Sequence, residues 1–416
     1  MNRTDLLKRV ALMSILLLPM CMDAKDTDTR TLSVTVENTS QERFTDHPVS
    51  VDLSQYSSVR GAIVKYGNEV VPSQLDDMDG DGRYDELFFL ADVGKKEKRR
   101  YDITLLSEED TTRYQPRVYV ELMLTNKKVK SENHQDLYIS HLTVDRGVNP
   151  YWMLHHHGAA FENELVAYRI YFDHRQTVDI YGKYREGLEL RATQFYPDSL
   201  QKASGYGDDV LWVGQTLGLG TLRGWDGSAP TMLSDVERRS QRIVSRGPLR
   251  TIVEVKDDGW VVAPGLPPID MTTRYILIAG HRECRVDVSF SRPALGLPLS
   301  TGIINVKNSE EYSDHHGLRG CWGTDWPVSA KDSVGHKRET VGLGICLPES
   351  VVLSEEPATK DNYAYSLSVG GSHFTYYITF GSDNETFGYH SAEAWFAYLR
   401  DWKRLLERAS DWVKVF

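Results

Sequence analysis

Residues 155–184 read HHHGAAFENELVAYRIYFDHRQTVDIYGKY, and the period of this stretch decides the fold. Successive side chains of an extended chain point to opposite faces. From Asn163 onward, Glu164, Val166, Tyr168, Ile170 and Phe172 therefore share one face, and Asn163, Leu165, Ala167, Arg169, Tyr171 and Asp173 share the other. The first face is mainly apolar and belongs on a core. The second ends in a cation, a phenol and a carboxylate. After the hairpin-forming DHRQT, residues Asp179, Tyr181 and Lys183 repeat the two-residue spacing. Together the two strands predict a polar, aromatic sheet face, a shallow floor on which a saccharide lies.

Working outward, the same period recurs. LSVTVEN, PVSVDL, AIVKY, ELFFLADV and RRYDITLL precede this stretch, and LELRATQFY, TIVEVKD, TTRYILIAG, CRVDVSFS and SHFTYYITFG follow it. Regular strands with few helical patterns between them imply an all-β fold, a large antiparallel β-sandwich. The polar segment SEEDTTRYQPR at 107–117 marks a boundary. The expected organisation is a signal segment over 1–24, a small β-domain over 25–115, the sandwich over 116–390 and a C-terminal amphipathic helix over 391–416. Trp395, Leu399, Trp402, Leu406 and Ala409 form the apolar stripe of that helix, and Ser391 caps it.

Arg3, Lys8 and Arg9 precede an apolar run from Val10 to Met20, the pattern of a secretory signal. Two processing routes stay open, cleavage after Ala24 or lipidation of Cys21 as an N-terminal anchor. Either predicts a periplasmic or outer-membrane-tethered protein without a transmembrane segment, since no later stretch approaches about 20 apolar residues. Cys284, Cys321 and Cys346 remain after the signal, so at most one disulfide is expected, with Cys321 joined to Cys346 or Cys284. A formal net charge of −11 without a basic block argues against a nucleic-acid partner. The chain carries no Rossmann glycine pattern and no P-loop, and no organic cofactor is expected.

Three clusters are candidates for chemistry. In DDMDGDGRYDE, residues 76–86, Asp77, Asp79 and Asp81 alternate like the start of a calcium loop, and Asp85 can complete a short site for a structural Ca²⁺. The twelfth position is Phe88, so this is not an EF-hand; the alternative is an Asp- and Gly-rich hairpin turn. His155, His156 and His157 stand at the mouth of the quoted strand, with His155 and His157 facing one way and His156 the other. HExxH spacing is absent, which disfavours zinc. Finally EYSDHHGLRGCWGTDWP, residues 311–327, reads as a long loop that brings His315, His316, Trp322 and Asp325 to a sugar cleft.

Uronic-acid elimination needs a cation on the sugar carboxylate and a His or Tyr to take the C5 proton. Arg169 fills the first role and His157 or Tyr171 the second, with Glu164 or Asp173 orienting them. His155, His156, Asp179, Lys183, His315, His316, Trp322 and Asp325 are the expected substrate contacts. Glycoside hydrolysis instead needs a correctly spaced carboxylate pair. A non-catalytic glycan-binding protein needs neither.

VPSQLDDMDGDGRYDELFFLADV, the 155–183 stretch, GLGTLRGWDG and SAEAWFAYLRDW together resemble a domain-of-unknown-function family of secreted bacterial proteins. Its members are often encoded beside enzymes that degrade pectin and other uronic-acid polysaccharides. The resemblance covers nearly the whole mature chain. It implies a supersandwich similar to galactose mutarotase, and an acidic, pectin-like oligosaccharide as partner, handled by a lyase-type or hydrolase-type enzyme or by a binding protein. It transfers no catalytic residue.

Overall fold

The computed structural model describes residues 30–125 and 137–416; the expected signal segment and Cys21 lie outside them. The fold is all-β, built from antiparallel sheets and closed by one long C-terminal helix.

The first core lies between two sheets. One runs in the order Val413–Val415, Arg30–Asn38, Lys98–Leu106, Gly61–Tyr66, Glu69–Val71; the other is Phe44–Asp52, Glu86–Val93, Ser73–Asp76. Alternation in each strand sends Val34, Val36, Ile103 and Leu105 inward against Val49, Leu87, Phe89 and Ala91. The C-terminus helps build this core: Val36 pairs with Val415, and Trp412 packs beside Phe44. The expected helix therefore stops at Trp412, and the last residues form a strand.

The second core is larger. A nine-stranded sheet runs from Glu310–Ser313 at one edge to His141–Asp145 at the other. Two five-stranded sheets face it, one containing Gly158–Asn163, Ala167–Tyr171 and Val178–Gly182, the other containing Leu299–Ile304 and Asn362–Leu367. Val253, Val286, Tyr376 and Ile378 of the first meet Phe161, Tyr168, Ile170 and Ile180 of the second and Ile303 and Tyr365 of the third. The face of Val166, Tyr168, Ile170 and Phe172 is inside this core, as the alternation predicts.

The helix Ala392–Trp412 lies on the outer side of the nine-stranded sheet. Ser391 Oγ accepts the Ala394 amide at 3.2 Å, and Trp395, Leu399 and Trp402 are buried against Leu318 and Trp322. Glycines make the close approach possible: a Cβ on Gly342 would stand 2.6 Å from the Trp395 indole. Truncating Trp395 to Ala would cost about 3–5 kcal/mol.

Two sequence expectations fail here. Residues 311–327 are not a long loop but two paired strands, Glu310–Ser313 and Leu318–Asp325, with His315 and His316 at their turn. The three cysteines are buried free thiols, so no disulfide forms among the described residues.

Candidate functional site

The hairpin that the sequence predicts does form, and its register sets Arg169 opposite Asp179. The polar face is not a shallow floor, however. Leu190 and Phe195 cover it, with the Phe195 ring 4.1 Å from the Arg169 guanidinium carbon. Residues 189–196 thus roof the sheet and exclude water from its middle.

Under this roof Arg169 holds a cluster together. Its Nη2 donates to Asp179 Oδ2 at 2.6 Å, to Asp209 Oδ2 at 2.8 Å and to the Tyr171 hydroxyl at 2.9 Å; Nη1 donates to the Tyr196 hydroxyl at 2.7 Å. The Tyr171 hydroxyl in turn donates to Asp179 Oδ2 at 2.8 Å. One cation therefore faces two carboxylates. Burial pushes the Asp209 carboxyl well above the usual range, Arg169 offsets this in part, and the negative charge of Asp179 adds to the rise. The Asp209 side chain keeps 18% of its surface exposed while Asp179 keeps none. The Asp209 carboxyl therefore stands at the solvent edge.

Beside that edge rises an aromatic wall. Asn149 caps the turn Pro150–Trp152 through its side-chain oxygen, and this turn presents Tyr151 and Trp152. His157 stacks on Tyr151, with ring centroids 3.7 Å apart, and meets Trp152 and Tyr171 edge-on. Trp152 is 75% exposed, an unusual position for an indole and a suitable one for stacking on a sugar ring. His157 Nδ1 lies 3.0 Å from the Tyr151 carbonyl, which accepts its proton and leaves the lone pair on Nε2. Burial, aided by the charges of Arg169 and Arg175, holds the imidazole neutral down to about pH 4, against the partial support of that hydrogen bond.

Arg175 packs its guanidinium 4.8 Å from both the Tyr151 and Tyr171 rings. Asp173 fixes its Nε and Nη2 at 2.8 and 2.7 Å, whereas Nη1 makes only a 3.3 Å contact to the Gly214 carbonyl. A cavity of about 340 Å³ adjoins this group, lined by Asn149, Asp173, His174, Arg146 and Arg239 among others.

Several expected site residues have other employment. Arg169 is only 3% exposed and committed to its two carboxylates, so it cannot neutralise a substrate carboxylate. Lys183 is fully buried: its ammonium donates to Glu162 Oε2, the Asn163 carbonyl and the Gly187 carbonyl at 2.6, 2.6 and 2.5 Å, which uses all three N–H groups. Asp179 is equally sealed from substrate. Glu164 leaves the strand pattern because Asn163 Oδ1 accepts the Leu165 and Val166 amides and bends the chain. It then pairs with Arg117, which also grips Asp46 of the first core. Tyr171, with its hydroxyl raised well above its ordinary value by burial, serves as a link in the cluster and not as a base.

The three histidines do not alternate as in a strand. They form a turn with φ of 42° at His156 and 71° at His157, a backbone strain that aims each ring differently. His156 points inward, its Nε2 3.0 Å from Glu121 Oε1. Burial holds both partners neutral, raising Glu121 to about 8 and lowering His156 to about 3. His155 lies edge-on to His156 and Tyr196. Only His157 reaches the wall.

The second histidine cluster stays separate. His315 and His316 pair with Glu355 and Glu349, Trp322 packs toward Trp395 under the helix, and Asp325 Oδ1 accepts the Trp326 amide. None of these takes part in the hydrogen bonds around Arg169. Of the Asp-rich turn, Asp77, Asp79 and Asp85 bring carboxylate oxygens within 4.8 Å of one another, while Asp81 turns away to Arg83. Asp77 and Asp85 already accept four backbone amides of the turn, Gly80, Gly82, Met78 and Asp79.

Asp209, Tyr196, Arg175, Tyr151 and Trp152 were not chosen from the sequence. Asp208–Asp209 after the GYG triplet at 205–207, and the YW pair at 151–152, carry the only local signal for them.

Among known proteins, no curated sequence matches the chain. Two solved structures from Enterococcus faecalis share its outline: a protein in the glycosyl hydrolase family 38, 10% identical with a TM-score of 0.48, and an alpha-mannosidase, 9% identical with a TM-score of 0.43. The matches cover 92% and 93% of this chain but 47% and 46% of theirs, so the chain spans about half the length of the structures it matches. The family model described as a domain of unknown function, DUF4861, matches residues 36–410, and the chain belongs to that family.

Proposed function

We propose that the protein is a secreted carbohydrate-active enzyme that cleaves acidic, uronic-acid-containing oligosaccharides of the pectin-like class by β-elimination. The observation that carries this reading is that Tyr171 and Arg169 join the His157 wall, with its exposed indole, to the partly exposed Asp209 carboxyl. Trp152 supplies the stacking platform. Arg175, held by Asp173 but with Nη1 weakly engaged, takes the sugar carboxylate. His157 Nε2 removes the C5 proton, the C4–O bond breaks as the C4–C5 double bond forms, and Asp209 protonates the departing oxygen. Asp209 is restored by solvent at the exposed edge. Calcium enters this reading only as a brace on Asp77, Asp79 and Asp85, and the working compartment is the periplasm or the outer membrane surface.

Glycoside hydrolysis is the second reading. The partly exposed Asp209 carboxyl favours it, as the acid that would protonate the leaving oxygen. The test is incubation of the mature protein with pectic and other acidic oligosaccharides, followed by ultraviolet absorbance and product mass. Absorbing products of unchanged total mass support elimination. Products heavier by one water support hydrolysis, and binding without product would leave a glycan-binding protein.

A further inference from the structure

A second cavity, of about 390 Å³, lies far along the chain from the Arg169 cluster, where three segments converge. Arg60 stands just before the strand Gly61–Tyr66, Arg113 belongs to the 107–117 connection between the two cores, and Arg246 ends the strand Arg238–Arg246. All three line the cavity, with Asp110 as the one carboxylate among the lining residues. Its volume falls in the range of about 300–1,000 Å³ typical of small-molecule sites.

The guanidinium groups are nearly uncommitted. Arg60 Nη1 reaches the Gly82 carbonyl at 3.3 Å, Arg113 Nη1 the Thr112 carbonyl at 3.4 Å, and Arg246 Nη2 the Ile139 carbonyl at 3.3 Å. These are long bonds to backbone, and none of the three pairs with a carboxylate among the described residues. The contrast with Arg169, Arg175, Arg239, Arg250, Arg282 and Arg319 is direct, since each of those hydrogen-bonds an acid. Asp110 Oδ1 is occupied by the Thr112 amide and hydroxyl. In a chain of net charge −11, a cavity with three guanidinium groups unpaired with any carboxylate among the described residues, and one engaged carboxylate, is a local reversal of sign.

The walls are also fixed in place. A Cβ on Gly61 would stand 2.7 Å from the Asp110 amide nitrogen and the Glu108 carbonyl oxygen, and one on Gly247, at φ +75°, would stand 2.3 Å from Val118 Cγ2. The 107–117 connection and the Gly247 turn thus pack closely on their neighbours at these glycines. Ser73, Tyr84 and Tyr114 add hydrogen-bonding groups between the arginines.

We propose that this junction cavity is an anion-binding site that takes the carboxylates of an acidic saccharide, with Arg60, Arg113 and Arg246 as the recognition residues. A planar guanidinium matches a carboxylate through two parallel N–H bonds, which ammonium groups cannot offer. The anion site stands on the cavity itself; that its ligand is a sugar acid rests on the function proposed above. Attraction from three exposed cations weakens as salt rises, because the Debye length shortens from about 10 Å at 0.1 M to about 3 Å at 1 M.

Calorimetric titration of the full mature protein tests the proposal, with a galacturonic acid trisaccharide, its fully methyl-esterified neutral form and inorganic sulfate as probes. The expected result is two trisaccharide sites in the wild type, one of them sensitive to salt. In Arg113→Ala/Arg246→Ala the salt-sensitive site weakens by about a hundredfold, about tenfold for each lost charged hydrogen bond, while turnover at the other site persists. Lysine at both positions restores part of the affinity and thereby separates lost charge from lost fold. Unchanged binding in the double Ala variant, or equal affinity for the esterified trisaccharide, would overturn the site. Sulfate bound and lost in the double variant, with no trisaccharide bound there, would overturn the sugar-acid assignment alone. Absence of turnover in the wild type, with the salt-sensitive site present, would count against the enzyme reading instead.

Discussion

Two ion clusters sit on one face of the same sheet and differ in their charge balance. Glu162 and Lys183 are one anion and one cation; the Glu162 carboxylate also accepts the Glu189 and Leu190 amides at 2.8 and 2.7 Å and thereby starts the short helix of the roof. Every donor of Lys183 is used, and both groups are sealed. Arg169, one cation, faces Asp179 and Asp209, two anions, and one of these keeps an edge in solvent. A balanced, closed pair is architecture, because nothing is left for a ligand to complete. In an unbalanced, open one the carboxyl at the edge is pushed toward its protonated form. The two cannot be told apart by residue type, only by what surrounds each charge.

The largest expected effect breaks the open cluster. Asp209→Asn keeps the hydrogen-bonding shape but cannot give up a proton, so turnover should fall by about 10²–10⁴-fold, with substrate binding kept; kinetics beside calorimetry check this. The same variant carries a stability signature. A carboxyl whose folded pKa stands above its unfolded value binds more protons when folded, so the wild type loses stability as pH rises from near 3.8 through the raised folded value. The difference in unfolding free energy between wild type and Asp209→Asn should therefore shift in favour of the variant as pH rises through that window, read by urea melts at several pH values.

Breaking the closed pair should do the reverse. Lys183→Met leaves Glu162 as an uncompensated buried charge and should cost about 3–5 kcal/mol of stability, measured by urea unfolding, while the molecules that still fold keep their kcat. A Lys183→Met/Glu162→Leu double variant should recover part of the loss, because it removes both charges but leaves the Glu189 and Leu190 amides without their acceptor.

A smaller effect sharpens the account of the wall. His157 has its folded pKa lowered from 6.5 to about 4, so the unfolded chain takes up a proton that the folded one refuses, and stability falls as pH drops from 6.5 to about 4. His157→Gln should remove that contribution, read by urea melts between pH 6.5 and about 4, and the turnover that depends on the base should be lost with it. Smallest of all, Trp152→Ala should raise KM several-fold while moving stability by no more than about 0.5 kcal/mol, since the indole is 75% exposed.

Much of the fold was legible. Alternation in Val166–Phe172 and in the flanking strands marked the core faces correctly, and the three- and four-residue spacing of Trp395, Leu399 and Trp402 marked the helix. The all-β class follows from those periods alone. The site was legible in part: Arg169, Tyr171 and Asp179 were grouped by strand spacing, and the register confirms their meeting. Burial was not legible. The roof over residues 158–183 comes from residues 189–196, which bear on that face only through the chain's return, and they convert an open floor into a closed interior. Local hydrogen bonds defeated two further expectations: the Asn163 side chain bends the strand and sends Glu164 to Arg117, and the left-handed turn at His156 and His157 replaces alternation. In 311–327 glycines suggested a loop, whereas they admit the helix side chains onto a strand: a Cβ on Gly320 would stand 2.2 Å from Leu399 Cδ1. Asp209 had no signal beyond its neighbours, because its meaning depends on Asp179 thirty positions earlier sharing the same arginine.

The central claim is that burial beside Asp179 raises the Asp209 carboxyl above its ordinary range. Carbon NMR of protein labelled at the aspartate carboxyl carbons, compared between wild type and Asp209→Asn, isolates the Asp209 resonance and follows its shift with pH. The account predicts a titration midpoint above 3.8. A midpoint near 3.8 would contradict it.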